Sequence, residues 1–300
     1  MGINKLINYI KLSQQEIQNV SNAKDNLIQT VKSKAQNGYL PYPKDIFLTG
    51  SYKRGTKISP LDDVDIFYVI GLAEKKDNHW HTITNCTFKF GEDFKDEDEN
   101  ISSIKILNLI KKEISKTYSR SEIRRNGEVV NVYLTAYEVG FDIVPAWEII
   151  NENYYLIPAG GDSTKWKRSN PKIDENILDE LNEKHNKLLK NIIRIVKYWF
   201  RKKKIKTPRS YHLESIAYYI FGKKESATSS YVEGLIYFYE NINYNDYLKK
   251  CPDPTNLSGD LSSNLNDNDI SKIIAESEKA ISCLRKSEEE FVRYVDPELY

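Results

Sequence analysis

The chain has 300 residues, 40% of them hydrophobic, with 44 basic against 43 acidic side chains and a formal net charge of +1. That length buries one large core or two intimate lobes, and the balanced charge argues against a surface given over as a whole to nucleic acid. No run approaches the ~18 consecutive apolar residues of a membrane span, and Met1–Leu12 has neither the apolar stretch nor the cleavage site of a signal peptide, so a cytoplasmic protein is expected. Cys86, Cys251 and Cys283 are scattered and odd in number, which points to ordinary thiols in a reducing compartment, and no Cys/His cluster has zinc spacing.

In chain order, residues 13–34 place Ile17, Val20, Leu27 and Val31 near helical spacing and predict a long amphipathic helix bracing two lobes. Pro41 and Pro43 then lead into a strand at 46–48. Residues 47–70 read FLTGSYKRGTKISPLDDVDIFYVI, a Gly50-Ser51 turn ahead of an alternating strand. A strand has a side-chain period of two, so Asp63 and Asp65 share one face while Val64, Ile66 and Tyr68 take the other. Two carboxylates side by side repel unless a cation neutralises them, and hard oxygen donors suit magnesium or manganese. A glycine before a small hydroxyl residue lets backbone N–H groups approach a phosphate, with Ser51 able to donate to a phosphate oxygen.

Further along, the acidic run at 91–100 reads as a solvated face. Residues 101–117 predict another amphipathic helix, and 129–134 and 140–144 predict strands, giving a mixed sheet with helical cover. Asp142 interrupts the apolar run VGFDIVP at 139–145; taken alone it reads as a solvated aspartate at a strand edge, and beside the first motif it is the candidate third carboxylate, one able to act near an attacking hydroxyl. From Asp174 the pattern becomes helical, with Leu188, Leu189, Ile192, Ile193, Val196 and Trp199 on one face. On the same helix Lys190, Arg194, Lys197 and Arg201 form a basic stripe that faces either water or a phosphate. Residues 194–209 as a whole are basic, with no acid among them.

Gly50-Ser51, then Asp63-x-Asp65, then Phe141-Asp142-Ile143-Val144-Pro145 together resemble the DNA polymerase beta-like nucleotidyltransferase superfamily. Within it the chain is most similar to the branch holding oligoadenylate synthases, cyclic GMP-AMP synthase and the bacterial cyclic-oligonucleotide synthases of antiphage signalling, over about residues 18–260. The resemblance implies an α+β fold of two lobes: a catalytic lobe over 1–160 with a mixed sheet and an N-terminal bracing helix, and a mainly helical lobe over 161–300. It implies two Mg²⁺ ions, or Mn²⁺, held by Asp63, Asp65 and Asp142, with Asp142 also taking the part of base. Gly50, Ser51, Lys197 and Ser210 fall at triphosphate positions, and Tyr211 at the position that stacks on a base. His212 and Glu214, which follow, read as structural.

Two loops point to the branch rather than the chemistry. Pro158-Ala-Gly160-Gly161 with 165–171 looks like the loop after the third carboxylate in the bacterial synthases, and Asp253-Pro254-Thr255-Asn256 with Gly259 resembles a late motif of oligoadenylate synthases. For both, surface turn and packing readings stand beside that one. The expected product is a cyclic di- or trinucleotide made from nucleoside triphosphates, ATP among them, with release of pyrophosphate. The resemblance also implies a separate effector that senses the product, and no nucleic-acid cofactor. The lack of the zinc insertion of animal cyclic GMP-AMP synthase weighs against DNA sensing. Linear oligoadenylate synthesis or addition to an RNA end is the second enzymatic reading, supported by the basic run at 194–209. An inactive nucleotide-binding regulator is the reading from another class.

Overall fold

The computed structural model describes residues 1–76, 79–83, 90–161 and 163–300, with backbone alone for 75, 76 and 79–83. Cys86 therefore lies outside the described residues. Helices α1 (Ile3–Ile10) and α2 (Gln14–Gln36) precede strand β1 (Asp45–Thr49), the short helix α3 (Gly50–Arg54), and strands β2 (Asp63–Lys76) and β3 (His79–Ile83). Next come α4 (Ser103–Ser115), β4 (Glu122–Asn126), β5 (Val129–Leu134), β6 (Val139–Ile149), β7 (Tyr155–Pro158) and β8 (Trp166–Ser169). The remainder is α5 (Pro171–Lys184), α6 (Leu189–Lys203), α7 (Ser210–Lys223), α8 (Tyr231–Glu240), the strands β9 (Lys250–Pro252) and β10 (Asp260–Ser262), α9 (Asp267–Lys286) and α10 (Glu288–Val295).

These elements form two compact units, each discontinuous in sequence. One comprises Ser13–Tyr52 and Leu61–Asn170; the other comprises Met1–Leu12, Lys53–Pro60 and Pro171–Tyr300. A single cut after residue 160 does not reproduce this partition. β8 pairs antiparallel with β7, which keeps 161–170 with the sheet, while α1 buries Ile3, Leu6, Ile7 and Ile10 in the helical core.

In the sheet unit the strand order is β1-β2-β6-β5-β4, with β3 against the far end of β2 and β7 bridging β6 to β8. β2 and β6 run parallel, and their neighbours are antiparallel. α2 starts at a capping box, in which Ser13 Oγ accepts from Glu16 N at 3.1 Å and Ser13 N donates to Glu16 Oε2 at 2.7 Å. Its buried stripe is Val20, Ala23, Leu27, Val31 and Ala35; Ile17, in the first turn, stays exposed. α2 and α4 cover the sheet face that carries Val64, Ile66, Tyr68 and Ile70. The opposite face carries Phe67, Val69, Val144 and Ala146, packed with Phe47 and Tyr155. Strand alternation therefore puts Asp63, Asp65 and Asp142 on this second face, away from the helical cover.

The helical unit is built around α6, whose Ile192, Ile193, Val196 and Trp199 are buried with helices α1, α7 and α8 against them. Among the described residues no helix is long and apolar enough to cross a membrane.

Candidate active site

The sheet unit brings five of the expected site residues together. Thr49, the last residue of β1, pairs with Asp65, and the chain turns at once through Gly50 and the buried Ser51. Gly50 has φ +69°, in the left-handed region, and a Cβ built there would fall 1.7 Å from Asp65 Oδ2. The glycine is what allows the carboxylate to lie over the turn. On the other side of β2, Asp65 is the register partner of Asp142 on parallel β6, and Asp63 is the partner of Gly140. Gly140 serves a close approach too, since a Cβ there would come within 2.7 Å of Asp62 O. Register partners on neighbouring strands lie roughly 4.8 Å apart and residues i and i+2 roughly 6.6 Å. The three aspartates thus occupy one small, half-buried patch of a single face.

Two of the carboxyl groups have distinct neighbours. Asp65 leans over Gly50, and Asp142 Oδ1 accepts from Asn131 Nδ2 of β5 at 2.9 Å. Among the described residues, no three His, Cys, Asp or Glu side chains are drawn together closely enough to hold a metal ion. The register places the three aspartates on adjacent strand positions of one face, and hard oxygen donors of this kind suit Mg²⁺ or Mn²⁺.

Lys197, Ser210 and Tyr211 belong to the helical unit, where α6 and the start of α7 present them. They meet a buried ionic cluster. Glu214, 0% exposed, accepts at Oε1 from Lys197 Nζ at 2.5 Å, Thr56 Oγ1 at 2.8 Å and Ser210 Oγ at 3.4 Å. Its Oε2 accepts from Arg54 Nε at 2.8 Å, and Arg54 Nη1 lies 2.6 Å from Asp174 Oδ2. Burial pushes the Glu214 carboxyl up, but Arg54 and Lys197 outweigh it and hold it down at about 2. Asp174 has a smaller claim on Arg54, and its Oδ1 is buried with no hydrogen-bond partner; burial prevails and raises its carboxyl to about 7. Burial also lowers the Lys197 ammonium, an effect that Glu214 opposes.

The basic stripe of α6 takes a third course beside water and phosphate. Arg194 Nε donates to Lys57 O at 3.3 Å, Lys197 Nζ to Thr56 O at 3.3 Å and Arg201 Nη2 to Ser59 O at 2.6 Å, while Lys190 pairs with Asp179 at 2.6 Å. Three cations in succession hold the carbonyls of segment 56–59. Tyr211 is fixed at both ends: its hydroxyl donates to Asp253 Oδ1 at 2.8 Å, and the Arg54 guanidinium lies 5.8 Å from its ring centroid. Asp253 also accepts from the amides and hydroxyls of Thr255 and Ser258, so the loop after β9 is ordered around one buried carboxylate beneath Tyr211.

Sequence reasoning missed Arg54 and Asp174. No local pattern joins Arg54 to Glu214, 160 residues away, and neither the polar α3 nor the charge-rich α5 marks Arg54 or Asp174 out from its neighbours. Glu214, expected to be structural, touches two of the expected phosphate ligands, Lys197 and Ser210. His212 is buried, its Nε2 lies 2.6 Å from Tyr247 O while its Nδ1 is buried without a hydrogen-bond partner, and burial lowers its pKa. Trp166 packs edge-on against Trp147 and donates to Ile101 O at 2.6 Å, while Lys167 pairs with Glu128. The buried Cys251 thiol is pushed up to about 12, an inert group.

A family model described as the Second Messenger Oligonucleotide or Dinucleotide Synthetase domain matches residues 87–182. A probable cyclic nucleotide synthase of Bacillus cereus (strain VD146) is 32% identical over 234 residues, covering 73% of this chain and 67% of that protein. The cyclic AMP-AMP-AMP synthase of an Acinetobacter species is 26% identical over 241 residues, covering 79% of this chain but only 62%, under two thirds, of that one. In fold, the chain is similar to CdnC of Escherichia coli MS115-1 solved with ATP, with TM-score 0.67 and 14% identity over 96% of this chain and 92% of that one. Motifs, sheet register and relatives agree, and the chain belongs to the bacterial cyclic-oligonucleotide synthases, nucleotidyltransferases of the branch that also holds cyclic GMP-AMP synthase and the oligoadenylate synthases.

Proposed function

We propose that this enzyme joins nucleoside triphosphates, ATP among them, into a cyclic di- or trinucleotide, releasing pyrophosphate at each step. The observation that carries this reading is the register of Asp65 with Asp142 beside Asp63 on one sheet face, behind a Gly50 that no larger residue can replace. A hydroxyl oxygen of one nucleotide attacks the α-phosphorus of another. The bond from that phosphorus to the bridging oxygen breaks, and pyrophosphate takes the electron pair. Asp63, Asp65 and Asp142 are the residues to hold two Mg²⁺ ions, which supply charge neutralisation at the phosphates and acidify the attacking hydroxyl. Asp142 accepts the hydroxyl proton. Ser51 and its neighbouring amides bind phosphate oxygens, and Gly50 keeps Asp65 in reach of the same group.

On the helical unit, Lys197 and Ser210 bind phosphate and Tyr211 stacks on a base, a sequence-tolerant contact of ~1–3 kcal/mol. Because the Tyr211 hydroxyl is bonded to Asp253 and Arg54 lies over one side of the ring, the other ring face is the part left to read a base. The relative from Acinetobacter is named for an all-adenosine trinucleotide, which favours ATP as a substrate. By family resemblance the enzyme works in the bacterial cytosol in antiphage defence, its product sensed by a separate effector. The test is incubation with labelled ATP, GTP, CTP and UTP and Mg²⁺ or Mn²⁺, beside an Asp63→Asn, Asp65→Asn control. A metal-dependent, phosphatase-resistant product absent from the control upholds the reading; phosphatase-sensitive oligomers mark a linear polymerase instead.

A further inference from the structure

Lys197 and Ser210 sit on different helices, yet both donate to a single oxygen, Glu214 Oε1. The bonds that Lys197 makes are unequal. Lys197 Nζ meets Glu214 at 2.5 Å, whereas its contacts to Thr56 O and Thr56 Oγ1, at 3.3 and 3.4 Å, are at the weak limit of hydrogen bonding. An incoming phosphate oxygen can replace the two long contacts without disturbing the short one. Ser210 and Glu214 are four apart on α7 and so face the same way, which brings the carboxylate beneath the hydroxyl.

We propose that Glu214 is a positioning residue for nucleotide binding, holding the Lys197 ammonium charged and in place beside the Ser210 hydroxyl. The inference rests on Lys197 and Ser210 being phosphate ligands, as proposed above. Burial alone favours a neutral amine at Lys197, and the groups that face it are Glu214 from α7, Arg54 from the end of α3, and Thr56 and Lys57 from the segment that follows, with Ser210 bonded to the same Glu214 oxygen. Asp174 of α5 stands one step behind, beyond Arg54. Glu214 is the one carboxylate in direct contact with Lys197 among the described residues, and two of its other neighbours are cations. Removing its charge therefore weakens the ammonium at once, by electrostatics and by loss of a charge-assisted hydrogen bond.

A double-mutant cycle on equilibrium affinity for α,β-methylene-ATP, with the full chain, separates this role from a general structural one. Glu214→Gln is expected to weaken binding about 10-fold and Lys197→Met about 10- to 100-fold. The double variant is expected to match Lys197→Met alone, and the alkaline limb of affinity against pH moves to lower pH in Glu214→Gln. Effects that multiply in the double variant, or wild-type affinity in Glu214→Gln, overturn the proposal. If Glu214→Gln does not fold, Glu214→Asp takes its place in the cycle: loss of affinity only when Lys197 is present upholds the proposal, and equal loss in both backgrounds overturns it. Unchanged affinity in Lys197→Met removes the lysine as a ligand and overturns the inference with that part of the reading. Product formation, tested through Asp63 and Asp65, stands apart from all of these outcomes.

Discussion

Asp65 Oδ2 lies where a side chain on Gly50 would begin, 1.7 Å from the Cβ position, so the aspartate of β2 and the glycine that follows β1 form one interlocking pair. Gly50→Ala therefore both strains a left-handed backbone and displaces a carboxylate. Cyclic-product formation is expected to fall about 100-fold, as for a catalytic group moved by an ångström. Gly38→Ala is the control: its φ of +74° imposes the same kind of strain, but nothing lies within 4 Å. That variant should lose about 1 to 2 kcal/mol of stability in a denaturant titration and keep its turnover.

Three carboxylates on one face repel one another until a cation joins them. Mg²⁺ in the presence of nucleotide is expected to raise the Tm of the wild type, because a ligand that binds only the folded state stabilises it. Asp65→Asn should leave the Tm nearly insensitive to Mg²⁺ while abolishing turnover. A Tm that still rises with Mg²⁺ in Asp65→Asn would move the ion away from this patch.

Asp174 and Glu214 share Arg54 and titrate in opposite senses. Asp174 is raised from 3.8 to about 7 in the folded state, so its contribution to stability is fully present below pH ~4 and is lost as pH rises through about 7. Glu214 is lowered from 4.5 to about 2, so its contribution is present above pH ~4.5 and is lost as pH falls toward 2. Denaturant titrations from pH 4 to 8 should show wild type losing stability relative to Asp174→Asn across this range, by at most about 4 kcal/mol, then levelling. A constant difference would show that Asp174 stays ionised throughout.

Tyr211 donates its hydroxyl to Asp253, and in the proposed reading its ring stacks on a base. Tyr211→Phe keeps the ring and leaves Asp253 bonded to Thr255 and Ser258, so KM is expected to change by less than about 3-fold and stability by about 1 kcal/mol. Tyr211→Ala removes the stacking surface and should raise KM about 10-fold or more. A steady-state comparison of the two decides whether ring or hydroxyl matters.

Much of the sheet unit is legible residue by residue. Asp63 and Asp65 alternate with Val64 and Ile66, so the strand declares its two faces, and the apolar run around Asp142 declares a buried neighbour. The helices at 14–36 and 189–203 carry their apolar stripes openly. β4 stayed hidden because its Glu-Ile-Arg-Arg-Asn alternates on an exposed edge with few apolar residues, and β7 and β8 because four-residue strands have too little pattern to read. The ionic cluster was beyond reach for another reason. Arg54, Asp174 and Glu214 come from distant parts of the chain, and hydrophobic periodicity carries no information about which buried charges meet.

Ile3 N donates to Glu288 Oε2 at 2.9 Å across 285 residues, and α1 has its core partners in α6 and α10. During synthesis α1 leaves the ribosome before any other described element, whereas α10 is among the last to follow. The apolar face of α1 must wait, without a core to enter, while the sheet residues between them can already close on one another. Biogenesis of this enzyme is thus expected to be nested, with a middle that matures first and a helical unit that seals only once α10 has been made. Nascent chains arrested after Asn170 should protect β2 and β6 from protease while α1 is still cut.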